Sequence, residues 1–238
     1  MRGVLSAIVA VLGWVSLSYL LRSEVMAAGM EPETSVVILY EADGEATINV
    51  RNSDTGVALL HSVIKNVPED PEPLLIVTPP IARVEPGEVQ LVRLISTSKA
   101  PLKTQRLKRI TFEGIPQSRA DGRSSIGITI RQDLPLIVHP RGLPKHHEPW
   151  TLLEWKLRGN RLTVHNNSAY VIRMGLEVQL LPSKQSGVLP RTYILPGETL
   201  STVVDAVLAG VNAVEMQPAT VYGYSAPVYT APVVVDGA

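Results

Sequence analysis

From Ser35 to Val235 the chain is written in short β-prone runs, apolar at alternate positions and cut by turn residues at close intervals. Such a chain builds stacked sheets rather than helices. Ser35–Tyr40 opens the series, Asp43-Gly44 turns, and Ala46–Asn52 follows with Ala46, Ile48 and Val50 on one face. Further strands are expected at Ala58–Val67, Leu74–Thr78, Glu88–Ser96, Arg106–Ile115 and Ile126–Val138. Pro79-Pro80 and Pro86-Gly87-Glu88 punctuate the middle, and Pro-Gly is a strong turn signal. The pattern then starts again with Thr151–Leu157, a Gly159-Asn160 turn and Arg161–His165. Tyr170–Leu181, a second Pro-Gly-Glu turn at 196–198, Thr199–Val204, Ala219–Tyr224 and Pro227–Val235 complete it. No segment sustains a capped helical period, and Asp205–Asn212 has room for one turn at most. The expected fold class is all-β, two β-sandwiches in tandem.

Composition narrows the function. With 238 residues, 45% hydrophobic and only 18% charged, the chain has apolar material for a sizeable core, which a disordered chain lacks. Lys+Arg 22 balance Asp+Glu 22, so the basic excess of a nucleic-acid binder is missing. There is no cysteine, which excludes disulfides, thiol catalysis and cysteine-held metal centres.

The first residues give an address. Met1-Arg2 precedes an apolar stretch that reaches Leu21, and Val25-Met26-Ala27 sets small or branched residues where a signal peptidase looks. A signal peptide over 1–27, cleaved after Ala27 or Ala28, is expected, and with it export; an uncleaved anchor is the competing reading. The expected domains are 28–139 and 150–238, joined by a linker over 140–149 that Pro140, Pro144 and Pro149 stiffen.

Chemistry is sparse. His146-His147 is the one histidine cluster, but neighbours on an extended chain point to opposite sides, so no metal site is expected. Glu69-Asp70 sits in a proline-rich turn and reads as solvated. No nucleophile elbow, zinc-protease motif or phosphate loop is present. No catalytic residue, cofactor, nucleic acid or small-molecule substrate is therefore assigned.

One strand stands out. Ile126, Ile128 and Ile130 recur at period two, with Gly127 and Thr129 between them, and the same parity continues through Leu134, Leu136 and Val138. They are either the core face of the last strand of the first sandwich or, beyond that core, apolar knobs for a partner. Strand addition uses main-chain hydrogen bonds for affinity and alternate side chains for specificity. Three isoleucines buried by a partner would supply roughly 5–9 kcal/mol of gross apolar gain.

Several strings along the chain go together: Ala46-Thr47-Ile48-Asn49-Val50-Arg51-Asn52, Val77-Thr78-Pro79-Pro80-Ile81-Ala82-Arg83-Val84-Glu85-Pro86-Gly87 and Val92-Arg93-Leu94. Phe112-Glu113-Gly114-Ile115-Pro116 and Leu136-Ile137-Val138-His139-Pro140 follow, with a looser counterpart at Leu162–Ser168 and Leu195–Glu198. Together they resemble the PapD-like periplasmic pilus chaperones. The resemblance implies two immunoglobulin-like domains set at an angle in the periplasm. It also implies pilin or fimbrial subunits as partners, capped by donor-strand complementation through Ile126, Ile128 and Ile130, and delivery to an outer-membrane usher.

The sequence departs from the family at the residues that hold the subunit's C-terminal carboxylate. The usual Arg and Lys fall at Val36 and Pro135, the usual acidic residue before the sixth strand at Gln105, and the usual interdomain Arg at His139. Arg131, Arg109 and Lys108 are candidate replacements for that anchor, against the reading that all three are ordinary solvated residues. A structural or adhesive fimbrial subunit and an enzyme or glycan-binding sandwich remain as alternatives. A subunit would need only one pilin-sized domain, and aromatics are only 5% of the chain.

Overall fold

The computed structural model describes residues 29–116, 129–204 and 210–236. The first sandwich is built from β1 (Met30–Pro32), β2 (Val37–Tyr40), β3 (Glu45–Asn52), β4 (Ala58–Asn66), β5 (Leu75–Thr78), β6 (Ile81–Val84), β7 (Val89–Ser96), β8 (Arg106–Pro116) and β9 (Arg131–His139). One sheet runs β1-β3-β7-β5 and the other β2-β9-β8-β4-β6. Alternation sends Ile48, Val50, Val92 and Leu94 inward from the first sheet, against Leu60, Ile110, Phe112, Leu136 and Val138 from the second, all buried. Each such side chain contributes about 1.5–3 kcal/mol by leaving water.

The opening strand changes sheets on the way. β1 pairs with β3, whereas β2 runs parallel to β9, with Val37 opposite Leu136. The crossing is held where Glu33 N donates to Asn49 O (2.9 Å) and Asn49 N donates to Glu33 Oε1 (2.8 Å).

A 3-10 turn at Pro149–Leu152 starts the second sandwich and sends Trp150 into the same core as Trp155. Its strands are β10 (Leu153–Arg158), β11 (Arg161–Asn166), β12 (Ile172–Leu181), β13 (Gln185–Val188), β14 (Tyr193–Ile194), β15 (Thr199–Val203), β16 (Ala213–Ala219) and β17 (Tyr229–Asp236). β17 closes the sandwich by changing partner midway. Tyr229–Pro232 pairs antiparallel with β16, and from Val233 onward the strand runs parallel to β10.

One expectation moves. The strand expected at Ala219–Tyr224 is instead Ala213–Ala219, which buries Val214 and Met216 at period two. The Tyr222-Gly223-Tyr224 stretch turns, with Gly223 at φ 88° and its N–H donating to Thr220 O. The first and sixth strands, Met30–Pro32 and Ile81–Val84, and the thirteenth, Gln185–Val188, are further elements, each too short to show a period. Most of the turn considered at Asp205–Asn212 lies outside the described residues.

Candidate functional site

β9 is paired along its length on one side only. On that side β8 covers it from Arg131 to Val138. On the other, β2 reaches only Leu136 to His139. Among the described residues, the backbone from Arg131 to Pro135 therefore has a free edge. Pro135 sits where β2's pairing stops, a place where a proline, lacking an N–H, fits a sheet.

The two faces of this strand differ. Leu136 and Val138 enter the core, Leu134 packs against it, and Ile130 lies at the sandwich's open end, 39% exposed beside Gly29. Ile130 thus continues the core-facing parity past the point where the domain's own core ends. Ile126 and Ile128 lie outside the described residues.

The charged candidates separate. Arg131 donates to Glu113 Oε2 through Nη2 (2.6 Å), and Arg109 donates to Asp133 Oδ1 through Nε (2.9 Å) and to Asp133 O through Nη2 (2.7 Å). Both pairs lie on the outer face of β8 and β9. Lys108 faces inward instead and is fully buried. Its ammonium donates to Asp70 O (2.6 Å) and Glu72 O (2.7 Å) and stands 3.0 Å from Asp70 Oδ1. With its three donors committed, Lys108 leaves the set of anchors for a partner's carboxylate. The solvated reading fails for it too, because the Asp70 carboxylate and the carbonyls of Asp70 and Glu72 give the buried ammonium its partners.

The same outer face meets the second sandwich. Leu107 and Ile137 join Val36 and Val67 against Val171 and Leu195 in an apolar cluster. Polar contacts ring it. Gln105 Oε1 accepts from Val171 N (2.8 Å), Gln105 N donates to Ala169 O (2.8 Å), and Tyr193 donates its hydroxyl to Glu69 Oε2 (2.6 Å). Arg191 clamps Glu69 from the other side. Burial first, and then this hydrogen bond to Glu69, push the Tyr193 phenol up to about 12. The 140–148 segment is tied down as well: Tyr170 Oη donates to Pro144 O (2.7 Å), and Lys145 lies 4.8 Å over the Tyr40 ring.

The comparisons with known proteins bear on this two-sandwich arrangement. Residues 29–144 match the family described as "Pili and flagellar-assembly chaperone, PapD N-terminal domain", and residues 148–228 match "Pili assembly chaperone PapD, C-terminal domain". The chain belongs to the PapD-like chaperone family. It is 43% identical to the fimbrial chaperone YhcA of Escherichia coli K12 over 84% of this chain and 88% of that one. The SafB chaperone, solved with the SafA pilin of Salmonella enterica, shares the fold at TM-score 0.69 and 19% identity, over 87% of this chain and 97% of the other. The Escherichia coli chaperone DraB does so at TM-score 0.68 and 21% identity, over 86% and 98%.

Within this PapD-like frame the four departures acquire physical sense. Val36 is buried in the apolar junction, and Pro135 is buried on β9 opposite Arg109. Gln105 and His139 meet directly: Gln105 Nε2 donates to His139 Nδ1 (2.9 Å), so the ring carries its proton on Nε2 and donates it to Leu143 O (2.9 Å). At these two positions this chain has a buried hydrogen bond between an amide and an imidazole.

Proposed function

We propose that this protein is a periplasmic chaperone that binds pilus or fimbrial subunits by donating β9 to their open sandwich, and that it passes them to an outer-membrane usher. The observation that carries this reading is the free edge of Arg131–Pro135 with Ile130 exposed on the core-facing parity. A subunit strand laid on that edge gains the unused backbone hydrogen bonds, while Ile130, with Ile126 and Ile128 before it, fills the subunit's core. Arg131 flanks the knobs, and its pair with Glu113 leaves the strand's charge balanced.

Affinity capture with a fimbrial subunit tests it. Ile130→Asp sets a carboxylate where the subunit needs an apolar group, and an unpaired buried charge costs several kcal/mol, a loss of at least about a hundredfold in affinity. Because Ile130 lies outside the chaperone's own core, its melting temperature should stay within a degree or two. Ile128→Asp should behave alike. Capture at wild-type strength by both variants refutes the reading. Recovery of the chain from an osmotic-shock fraction, shortened at Ala27 or Ala28, is the expected outcome for export.

A further inference from the structure

The Gln105–His139 bond belongs to a longer chain of hydrogen bonds that crosses from one sandwich to the other. Val171 N, in the second sandwich, donates to Gln105 Oε1 (2.8 Å). Gln105 Nε2 donates to His139 Nδ1 (2.9 Å), and His139 Nε2 donates to Leu143 O (2.9 Å). Val171, Gln105 and His139 are all buried.

Both ends of this chain are backbone groups of fixed polarity, an N–H at Val171 and a carbonyl at Leu143. The N–H turns the amide oxygen of Gln105 toward the second sandwich and leaves its NH2 facing the ring. A donor in that place needs a bare Nδ1. The chain therefore accepts one proton arrangement, and the imidazole in it is neutral. A second proton on the ring sets two donors face to face. Turning the Gln105 amide over relieves that clash and creates the same one at Val171 N. Either way one buried hydrogen bond of the junction is lost.

The surroundings do not compensate. The cavity beside His139 has Tyr40, Lys145, His146, His147 and Tyr222 in its lining and, among the described residues, no acid. Tyr40 of β2 meets the His139 ring edge to face, 5.2 Å between centroids, and the Lys145 ammonium lies 4.8 Å over Tyr40. After β2, Glu41 N donates to His139 O, but the Glu41 carboxylate accepts from Leu102 N and Arg141 N (both 2.8 Å). On β8, Arg106 is held by Asp70 and Glu72. A charged His139 would be buried near another cation, and a buried charge without a partner is costly.

We propose that His139 makes the domain junction acid-sensitive, closed with a neutral imidazole and opened by its protonation. The closed junction binds fewer protons than the open one. Its stability is therefore complete above the range where imidazoles titrate and is lost as pH falls through it, from about 7 to about 5. This inference stands on the junction alone and does not rest on the subunit reading above.

The experiment uses the exported chain without a subunit, and the Val171 amide reports on the bond directly. Its hydrogen-exchange protection, taken relative to a free amide at the same pH, should fall about tenfold between about pH 7.5 and about pH 5, the loss of one ordinary hydrogen bond. Small-angle scattering should show a larger radius of gyration at the lower pH, with far-ultraviolet circular dichroism unchanged. His139→Gln keeps an acceptor and a donor without titrating, and should protect Val171 equally at both values. Gln105→Glu still accepts from Val171 N, but its other oxygen asks for a proton on Nδ1. In that variant protection at the lower pH should equal or exceed that at the higher, so the test survives if His139→Gln fails to fold. Equal protection of the wild-type amide at both values overturns the switch. So does a fall that persists in His139→Gln, which would place the titration at His146 or His147, or an undiminished fall in Gln105→Glu.

Discussion

Lys108 shows how far one residue's surroundings decide its role. On the core face of β8 it closes the 67–72 turn onto the sheet, because its ammonium holds two carbonyls and the Asp70 carboxylate. Lys108→Met fits the space and leaves the Asp70 carboxylate to Arg106, but it takes the donor from the Asp70 and Glu72 carbonyls. Two carbonyls left short of a donor cost about 2–4 kcal/mol, so the first domain's denaturation midpoint should fall accordingly in urea. Burial alone would raise the Asp70 pKa, but hydrogen bonds from Arg106 and Lys108 and their charges outweigh it and hold the carboxyl below its ordinary 3.8. The folded state therefore resists taking up a proton that the unfolded chain accepts near 3.8. Stability from this group is complete above that value and lost as pH falls through the lower folded value. Wild type should lose melting temperature as the buffer is taken below about pH 4, and Asp70→Asn, destabilised throughout, should lose less over that interval.

At the scale of elements, the two sandwiches use one corner device twice. Asn52 ends β3 and Asn166 ends β11, and both are fully buried. Asn52 Nδ2 donates to Gly56 O (2.9 Å) and Val84 O (3.0 Å), and Asn166 Nδ2 donates to Tyr170 O (2.8 Å) and Ile194 O (3.2 Å). Each backbone also grips a Pro-Gly-Glu turn, with Gly87 N donating to Asn52 O (2.8 Å) and Gly197 N to Asn166 O (2.7 Å). Gly87 and Gly197 both have φ 78°, a conformation that a side chain resists. Asn166→Ala orphans two carbonyls and should cost the second domain about 2–4 kcal/mol; Asn52→Ala should do the same to the first, each read from that domain's own melting transition. The Pro-Gly-Glu turns were legible in the sequence because they are local. So were long strands such as β3, β4 and β8, whose alternation outlasts their ends. β1, β6 and β13 were not, since three or four residues cannot display a period. The isoleucine parity was visible, but the free edge beside it was not, because it depends on where β2 stops.

At the scale of the whole molecule, the junction has the anatomy of a small interface, an apolar centre inside a polar rim. Its centre belongs to neither core: Val36, Val67, Leu107, Ile137, Val171 and Leu195 pack with one another. The domains' mutual arrangement can therefore fail while each sandwich stays folded. Val67 is the cleanest place to test this, because it lies in the turn after β4, 4% exposed, and is absent from the first domain's core cluster. Val67→Asp would bury a carboxylate among apolar groups, beside Glu69 and Asp70, which repel it. A buried charge without a partner costs several kcal/mol, and interdomain contacts of this size resemble transient interfaces. The lower-energy response is for the junction to open and let water reach the charge. Small-angle scattering should then show a larger radius of gyration and a broader distance distribution, while far-ultraviolet circular dichroism keeps its wild-type shape. Loss of the β signal would mean that Val67 supports the first sandwich itself, and an unchanged scattering curve would mean that the polar rim, chiefly Gln105 with Val171 and Glu69 with Arg191 and Tyr193, holds the two domains without the apolar centre.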